Sequence, residues 1–462
     1  MTFAAPLATF RDPSGSLRFE GDRVVRRVQA DQAGAALAFL RSPLAQEWTE
    51  QGKLIETVFA GEEAGELTLQ HPRVFFPTYP WEWTPSAWVA AAQLTLDLCE
   101  DLLGHGLILK DATPLNVLFQ GTQPVFVDVL SIEARDPASP LWLAYAQFVR
   151  TFLLPLLAYE VLGWPLNASI ERRDGYEPAD LAPYLGRFQK WRVPFRSLVT
   201  LPLMLEKSAG SGTQKTAQLR QDPGLAAKTL KRNLSGLREH VLRIGEALRA
   251  RRSSSRWGDY ATTADHYSGT DRERKGTFVR DTLMAARPKH VLDLGANSGV
   301  YSRIAAECGA SVVAWDTDVP ATEENWRTAQ ERRLPILPVL ANPARPTPAV
   351  GWRNAESLAL LDRARGRFDC VLMLGFIHHL LLAEQIPLLE IAGFLRELTT
   401  QWALVEWVPA TDPRFRDLLR GREALYGHLD ETAFLSASAE YFTVAQREAL
   451  PNGRVLFWLQ AR

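Results

Sequence analysis

VLDLGANSGVYS, residues 291–302, is the stretch that decides the fold of the C-terminal half of this chain. Its apolar start and the glycines Gly295 and Gly299 predict a strand that enters a tight turn and then a helix. Ligands of parallel α/β sheets bind outside the carboxyl ends of the strands, so the turn is a candidate binding site. Asp316, 21 residues after Gly295, ends the next apolar run, where a carboxylate can accept hydrogen bonds from the two hydroxyls of a ribose.

The pattern around this turn alternates between short β-rich runs and helical periodicity. Strands are predicted over residues 290–294, 311–316, 335–340, 368–374 and 402–407, with helices over 300–308 and 319–332. Such alternation is typical of an α/β fold with an open, mostly parallel sheet and helices on both faces. Two further runs, 443–450 and 454–460, flank the turn Pro451-Asn452-Gly453 and predict an antiparallel hairpin.

Two kinds of ligand fit a glycine turn of this type. A dinucleotide site has three glycines in the spacing G-x-G-x-x-G and places a pyrophosphate at the N-terminus of a helix. Here Asp293 lies inside the strand, and Asn297 stands between the two glycines. A carboxylate at that point repels a pyrophosphate and suits a ligand that carries positive charge. A turn that binds nothing is the third alternative.

With these residues the turn resembles the first motif of class I S-adenosylmethionine-dependent methyltransferases, D/E-x-G-x-G-x-G, with Asn297 in the place of the middle glycine. The resemblance implies a Rossmann-like seven-stranded sheet with a terminal antiparallel hairpin, and S-adenosylmethionine as the cofactor. Asp293 would orient the loop and the amino-acid end of the cofactor, and Asp316 would hold its ribose. The residues implied for cofactor binding are Asp293, Gly295, Ala296, Asn297, Gly299, Asp316, Thr317, Asp318, Ala341, Asn342, Leu374 and Gly375.

The segment before the first strand, residues 257–279, corresponds to the part that closes over the cofactor in many of these methyltransferases. Tyr267 and Lys275 lie in it and are further candidates for cofactor binding. A lysine can pair with the carboxylate of the cofactor. The alternative is that both side chains only pack or lie at the surface.

Three residues are candidate catalytic groups on the acceptor side. His378 and His379 follow the fourth strand, where the methyl group would be delivered, and an imidazole can take a proton from a hydroxyl or an amine. We therefore expect the rate to rise with pH through about 6.5, the ordinary pKa of histidine. Glu406, at the end of the fifth strand, is a second candidate base or a partner for an imidazole. The alternatives are histidines that cap or pack, and an ordinary strand-end carboxylate.

A second group of polar residues lies in the N-terminal half. Asp111 is followed five residues later by Asn116, and Asp128 follows an apolar run twelve residues after that. This arrangement resembles the catalytic and metal loops of protein-kinase-like and aminoglycoside-phosphotransferase-like folds. There an aspartate accepts the substrate proton, and an asparagine and a second aspartate hold magnesium. The resemblance implies an α+β kinase-like domain in front of the methyltransferase domain.

The N-terminal half also departs from the kinase pattern. Lys110 precedes Asp111, the triplet DVL at 128–130 replaces D-F-G, and the run RVVRRV offers Arg26 and Arg27 where a V-A-I-K strand is usual. A glycine-rich phosphate loop is not recognisable. We expect a degenerate kinase-like domain that binds a substrate, a carrier or a partner. An active or atypical kinase and an unrelated fold are the alternatives.

Composition predicts the domain boundaries. A Gly/Ser-rich loop and a basic amphipathic helix, together residues 208–256, separate a kinase-like domain over 1–207 from a methyltransferase domain over 257–462. The basic face of this helix is expected to be a solvated surface.

Nearly the whole chain resembles the nodulation protein NoeA-like family of methyltransferases.

The balance of charges and the cysteines limit the remaining function classes. Lys+Arg (52) and Asp+Glu (53) nearly cancel, so the chain has no global basic field for nucleic acid. Cys99, Cys308 and Cys370 lie too far apart for a zinc site or a disulfide framework, which favours a cytoplasmic protein without a bound metal. The most apolar run, residues 148–164, is interrupted by Arg150 and Pro155 and predicts a buried helix instead of a transmembrane span.

The sequence thus predicts transfer of a methyl group from S-adenosylmethionine to a small-molecule, glycan or lipid-linked acceptor, with a protein as a further candidate partner. One alternative is a bifunctional kinase and methyltransferase, which would show magnesium-dependent ATP turnover. The other is a non-catalytic binding or assembly protein, which would fail to bind S-adenosylmethionine.

Overall fold

The computed structural model describes residues 11–209, 220–250, 269–419, 421–426 and 428–462. By its internal contacts the chain divides into two units, Met1–Arg252 and Ser253–Arg462. The sequence prediction placed the start of the second domain at residue 257.

The first unit begins with a four-stranded antiparallel sheet in the order β1-β2-β4-β3. Its strands are β1 (Gly15–Glu20), β2 (Arg23–Val28), β3 (Val58–Glu63) and β4 (Glu66–Pro72). Helices α1 (Ala30–Leu40) and α2 (Pro43–Glu50) lie between β2 and β3 in the chain. Alternate residues of β4 are buried, so one face of the sheet packs on the core.

A long helix and two small antiparallel sheets follow. Helix α3 (Pro85–Gly104) begins after Thr84, whose hydroxyl accepts a hydrogen bond from the backbone N–H of Ala87 and so caps the helix. One small sheet pairs β5 (Leu107–Leu109) with β8 (Ile132–Ala134), and the other pairs β6 (Val117–Gln120) with β7 (Gln123–Phe126). The loops that carry Asp111, Asn116 and Asp128 lie next to these strands.

The first unit continues with helices. They are α4 (Tyr145–Phe148), α5 (Leu154–Leu157), α6 (Pro178–Leu181), α7 (Leu201–Ala209) and α8 (Pro223–Ala250), with π-helical turns at Val149–Leu153, Ala158–Leu162 and Arg196–Thr200. The apolar run predicted as one buried helix is thus helical, but as alternating α- and π-helical turns. Over the described residues, none of the helices combines the length and the apolar character that crossing a membrane requires.

Helix α8 belongs by its contacts to the first unit, whereas the sequence analysis placed it in a linker. The helix packs against α3, and its buried apolar residues include Leu230, Leu234, Leu237, Val241 and Ile244. Arg238 of α8 pairs with Asp97 and Glu100 of α3 at 2.6 and 3.0 Å. The apolar stripe of α8 is visible in the sequence, but its partner helix, more than a hundred residues earlier, is not.

The second unit is built on a seven-stranded mixed sheet in the order β11-β10-β9-β12-β13-β15-β14. Its strands are β9 (His290–Leu294), β10 (Ser311–Asp316), β11 (Ile336–Leu340), β12 (Phe368–Met373), β13 (Thr399–Trp407), β14 (Phe442–Ala449) and β15 (Val455–Ala461). The first five strands are parallel, and β15 runs antiparallel to both of its neighbours. This mixed sheet confirms the predicted α/β architecture and its antiparallel hairpin.

Helices flank this sheet. They are α9 (Gly269–Ala286), α10 (Val300–Glu307), α11 (Val319–Arg332), α12 (Leu360–Ala364), α13 (Leu388–Leu398), α14 (Pro413–Leu419), α15 (Glu423–Tyr426) and α16 (Glu431–Ser438). The central strands β9 and β12 are buried almost throughout, as expected for parallel strands covered on both faces. The chain leaves β9 toward β10 on one side, while β12 lies on the other, which creates a switch point at the carboxyl end of β9.

Candidate functional site

A cavity of about 420 Å³ opens at this switch point. Its volume is that of an ordinary small-molecule site. Among the residues predicted to bind the cofactor, those that line the cavity are Gly295, Ala296, Asn297, Asp316, Thr317, Asp318, Asn342, Leu374, Gly375 and Lys275. The structure therefore brings together, at one edge of the sheet, residues that are spread over a hundred positions of the sequence.

Three of the predicted residues lie outside the cavity lining, namely Asp293, Gly299 and Ala341. Ala341 is buried behind the site, where its N–H donates to the carbonyl of Asp316 at 2.9 Å. Its neighbour Asn342 lines the cavity. Tyr267 lies outside the described residues.

Gly295 donates one of the backbone hydrogen bonds that hold the turn, and its lack of a side chain leaves room for the ring of Phe376. Its φ is +70°, and a Cβ at this position would lie 2.6 Å from the ring of Phe376, which lines the cavity. The N–H groups of Gly295 and Ala296 both donate to the carbonyl of Trp315 at the end of β10. A side chain at residue 295 would therefore displace the cavity wall.

Gly299 is needed for helix packing, whereas its predicted role beside the ligand stays a prediction. Its φ is +78°, and an added Cβ would lie 2.1 Å from Oδ1 of Asn325 on α11. Asn325 is 1% exposed, so its side chain has little room to move away. The close approach that requires glycine here is the approach of the start of α10 to α11.

Replacing Gly299 by alanine will lower the free energy of unfolding by about 1–3 kcal/mol through overpacking alone, with a further cost for the positive φ. Gly309→Ala is the matched control, because Gly309 also has a positive φ, +95°, but nothing lies within 4 Å of an added Cβ. Urea unfolding of the two variants measures the difference. Equal stabilities would show that the contact with Asn325 is not what requires glycine.

Asp316 presents its carboxylate to the cavity. The two oxygens accept hydrogen bonds from the backbone N–H groups of Asn297 and Asp318, both at 2.8 Å. Burial raises the pKa of Asp316, and these hydrogen bonds oppose the rise. Each oxygen retains a lone pair beyond the bond that it already accepts, so the carboxylate can also accept hydrogen bonds from the hydroxyls of a ligand.

Asp293 lies beneath the turn instead of in the cavity. Its carboxylate is buried and accepts a hydrogen bond from the hydroxyl of Ser302 in α10 at 2.6 Å. Burial raises its pKa to about 6, although the bond from Ser302 opposes the rise. Asp293 thus joins β9 to α10 below the turn, and its predicted contacts with the amino-acid end of a cofactor stay a prediction.

Four buried charged residues, which we call the buried charge chain, run behind the cavity. Nζ of Lys275 lies 2.6 Å from Glu406, Nη1 of Arg454 lies 3.4 Å from the other oxygen of Glu406, and Nε of Arg454 lies 2.7 Å from Asp412. None of these side chains is more than 3% exposed. The ammonium of Lys275 also lies 4.4 Å from the ring centroid of Tyr301, a cation–π contact. The two positive and the two negative charges of this buried charge chain therefore cancel.

The buried charge chain corrects the predicted roles of Glu406 and Lys275. Two cations hold the carboxylate of Glu406, and protonation would leave them uncompensated in the interior, so Glu406 is poorly suited to act as a base. Lys275 lines the cavity, but its ammonium is engaged by Glu406 instead of facing a ligand carboxylate. This pairing joins residues 131 positions apart, a separation at which local patterns carry no signal.

The two histidines have different surroundings. His379 lines the cavity, whereas His378 is buried and does not; their ring centroids lie 4.3 Å apart. Burial lowers the pKa of His379 to about 4, and the charges of Arg414 and Arg454 act in the same direction. His379 is therefore neutral at pH 7, and the expectation of a pKa near 6.5 is wrong for it. The sequence could not show the burial of the ring or the two arginines beside it.

In the first unit, Asp128 is held by Arg26 and Ser131. Nη1 of Arg26 lies 2.6 Å from Asp128, the hydroxyl of Ser131 donates to the other carboxylate oxygen, and Nδ2 of Asn116 donates to Ser131 at 3.1 Å. Burial opposes ionisation of Asp128, but the charge of Arg26 and the hydrogen bonds outweigh it, so the pKa of Asp128 is lowered. The structure thus connects Asn116 to Asp128 through the hydroxyl of Ser131.

Asp111 lies within electrostatic range of this group. Burial raises its pKa, the charge of Lys110 opposes the rise, and the charge of Asp128 adds to it. Arg27, the other arginine of β2, is half exposed and lies 4.0 and 3.9 Å from Glu63 and Glu66. In the part of the chain that the structure describes, no group of three or more His, Cys, Asp or Glu side chains is arranged to hold a metal ion.

Comparison with known proteins places the whole chain in a family. It is 30% identical to the nodulation protein NoeA of Rhizobium meliloti (strain 1021), in an alignment that covers 96% of this chain and 94% of NoeA. The chain belongs to the NoeA family. No protein-family model matches it.

Solved structures similar to this NoeA-family chain include three methyltransferases. The N-methyltransferase NodS from Bradyrhizobium japonicum WM9 is 12% identical, covers 42% of this chain and 98% of NodS, and has a TM-score of 0.31. Magnesium protoporphyrin IX methyltransferase from Synechocystis PCC 6803 is 16% identical, with a TM-score of 0.31, and its alignment covers 42% of this chain and 84% of the methyltransferase. The bifunctional kinase-methyltransferase WbdD is 17% identical, with a TM-score of 0.33, and its alignment covers 46% of this chain and 45% of the WbdD chain.

The cavity residues of this NoeA-family chain that the sequence analysis missed include Arg272 and Phe376. Arg272 lines the cavity three residues before Lys275, and the i, i+3 spacing on one helix was a signal that could have found it. Phe376 lines the cavity against the turn at Gly295. That contact depends on how the loop after β12 crosses the loop after β9, and no pattern in the sequence carries it.

Proposed function

We propose that the second unit binds S-adenosylmethionine and transfers its methyl group to a small-molecule, glycan or lipid-linked acceptor. The observation that carries the proposal is the cavity at the carboxyl end of β9, lined by the glycine turn and by Asp316. We also propose a cytoplasmic location. The free thiols of Cys99, Cys308 and Cys370 support a reducing environment.

The side chains around the cavity fit this cofactor. Asp316 keeps acceptor capacity for the ribose hydroxyls. The guanidinium of Arg272, which lines the cavity, suits the carboxylate of the methionine part, a role that the sequence analysis gave to Lys275. Leu374 and Leu380 supply apolar lining. The neutral ring of His379 adds no positive charge next to a sulfonium.

When bound, S-adenosylmethionine supplies a methyl group that a sulfonium activates for in-line displacement. The main task of the protein is then to position the acceptor. His379 lines the cavity, and its imidazole is neutral above a pH of about 4, so it can accept the proton of a hydroxyl group whose oxygen attacks the methyl carbon. That proton becomes strongly acidic as the new bond to the methyl carbon forms, which is why a weak base suffices.

A labelling experiment tests this function. The purified chain is incubated with S-adenosylmethionine that carries a labelled methyl group and with fractionated cell extract, and Asp316→Ala serves as the control. A labelled product that depends on Asp316 supports the proposal and identifies the acceptor class. If the chain fails to bind S-adenosylmethionine in isothermal titration, the proposal is wrong and the assembly-protein alternative gains support.

For the first unit we propose a degenerate kinase-like domain that binds a substrate, a carrier or a partner without transferring phosphate. The pairing of Asp128 with Arg26 at 2.6 Å supports this, because a magnesium ion at Asp128 would lie against the charge of the guanidinium. The turn between β1 and β2 consists of Gly21 and Asp22, and its carboxylate disfavours a bound triphosphate.

The full chain will therefore show no magnesium-dependent hydrolysis of ATP above that of the Asp128→Asn variant. Asp136→Asn, at an exposed carboxylate of the same unit that pairs with Arg220, is the matched control. Release of phosphate in the presence of magnesium measures the activity. Turnover by the unaltered chain that Asp128→Asn abolishes and Asp136→Asn does not would establish the bifunctional alternative.

A further inference from the structure

The first unit carries a surface of exposed apolar and basic side chains that neither proposed activity uses. Residues 182–205 contain no Asp or Glu and four Arg or Lys. The large apolar side chains exposed there include Tyr184, Phe188, Trp191, Leu201, Met204 and Leu205, with Phe188 at 87% and Trp191 at 56% exposure. We call this the 184–205 surface. Clusters of exposed large apolar side chains are uncommon in monomers and mark binding sites.

A packed framework holds these side chains outward. Leu185, Phe195 and Leu198 between them are buried. The hydroxyl of Thr200 donates to the carbonyl of Lys190 at 2.6 Å, which joins the turn that carries Trp191 to the start of α7. On α7, residues 201, 204 and 205 have the i, i+3, i+4 spacing that places them on one face. The exposure is therefore a property of ordered elements.

The charges of the 184–205 surface have one sign. Arg187, Arg192 and Arg196 are exposed, and the described residues show no carboxylate paired with any of them. The acid nearest before the surface, Asp180, is already paired with Arg172 at 3.2 Å. Within its bounds the surface thus presents only cations among aromatic and aliphatic side chains, and the first acid after it is the exposed Glu206.

We infer that the 184–205 surface binds the anionic face of a phospholipid bilayer. Trp, Tyr, Phe and Leu side chains enter the interfacial region of a membrane, where the rings find both apolar and polar surroundings, and arginines contact the phosphates of the headgroups. The charged side chains among residues 184–205 are all positive, which complements the negative potential of an anionic bilayer. Binding to the bilayer is peripheral, through side chains of short helical elements.

Vesicle flotation with the full chain tests the inference. We expect binding to vesicles that contain about one-third phosphatidylglycerol, weaker binding to pure phosphatidylcholine, and loss of binding at high salt. The double variant Phe188→Ser with Trp191→Ser should weaken binding by about tenfold or more, since two large side chains no longer enter the interface. Arg187→Glu with Arg192→Glu should weaken binding to the anionic vesicles only. All four positions are exposed, so these variants should fold.

The matched control is Leu143→Ser, because Leu143 is 82% exposed in the same unit but lies outside the 184–205 surface. It should bind vesicles as the unaltered chain does. The inference is wrong if the unaltered chain does not float with anionic vesicles, or if Phe188→Ser with Trp191→Ser binds as tightly as Leu143→Ser. It is also wrong if gel filtration shows a dimer that this double variant dissociates, since the surface would then be an interface between two copies.

Discussion

Replacement of His379 by alanine will lower the rate of methyl transfer by about 10²–10⁴-fold, the usual range for the loss of a positioned base, and will leave the affinity for S-adenosylmethionine nearly unchanged. The reason is that the ring lines the cavity, in which we propose that the acceptor meets the methyl group. Since the pKa of His379 is lowered to about 4, the imidazole is protonated only in acid. The rate should therefore rise with pH through about 4 and stay level from pH 6 to 8, once an acceptor is known.

His290→Ala is the control for this measurement. His290 is a partly buried histidine at the start of β9, the opposite end of the strand from the cavity, and burial lowers its pKa as well. Its replacement should leave the rate unchanged. An acceptor that is already neutral and nucleophilic needs positioning alone. Full activity of His379→Ala at every pH would therefore exclude the histidine as a base.

Replacement of Asp316 by alanine will weaken the binding of S-adenosylmethionine by about 10- to 150-fold, because hydrogen bonds to a charged acceptor contribute roughly 1.5–3 kcal/mol. Isothermal titration measures the change. Asp316→Asn is the second variant, because it keeps the size of the side chain and one acceptor oxygen. Its affinity should lie between that of the unaltered chain and that of the alanine variant.

Asp369 provides a close control for this prediction. Its carboxylate also accepts hydrogen bonds from two backbone N–H groups, those of Lys289 and His290 at 2.8 and 3.0 Å, but at the opposite edge of the sheet. Asp369→Ala should therefore destabilise the fold to a similar degree as Asp316→Ala and leave the affinity for S-adenosylmethionine unchanged. A similar loss of affinity in both variants would mean that Asp316 only supports the turn.

The strands and the terminal hairpin of the second unit could be predicted from the sequence because they produce local patterns. Each parallel strand is a short apolar run next to a helix, and the turn Pro451-Asn452-Gly453 marks the hairpin. Residues at the carboxyl ends of these strands converge by topology alone. Asp316 was expected at the site from this topology, and Asn342, 26 positions later, from the resemblance to class I methyltransferases; both line the cavity.

The features that could not be predicted depend on side-chain contacts between distant elements. Gly299 has the same place in the motif as a ligand-binding glycine, yet its contact is Asn325 of α11. Glu406 lies near the end of a strand, where a catalytic base was expected, yet its carboxylate is paired with Lys275 and Arg454. A pattern assigns a residue to an edge of the sheet, but burial and pairing decide what the residue can do there.

The buried charge chain has a consequence for the way this unit is made. During synthesis Lys275 emerges 131 positions before Glu406, and Arg454 emerges later than both. Strand β15 begins directly after Arg454 and lies between β13 and β14 in the sheet. A nascent chain that has emerged only as far as β14 therefore leaves one side of β13 unpaired, and Asp412 has no buried guanidinium beside it. Emergence of β15 fills the gap in the sheet and completes the charge pairs in one step. Until then the open strand edge is a target for chaperones or for pairing with another nascent chain.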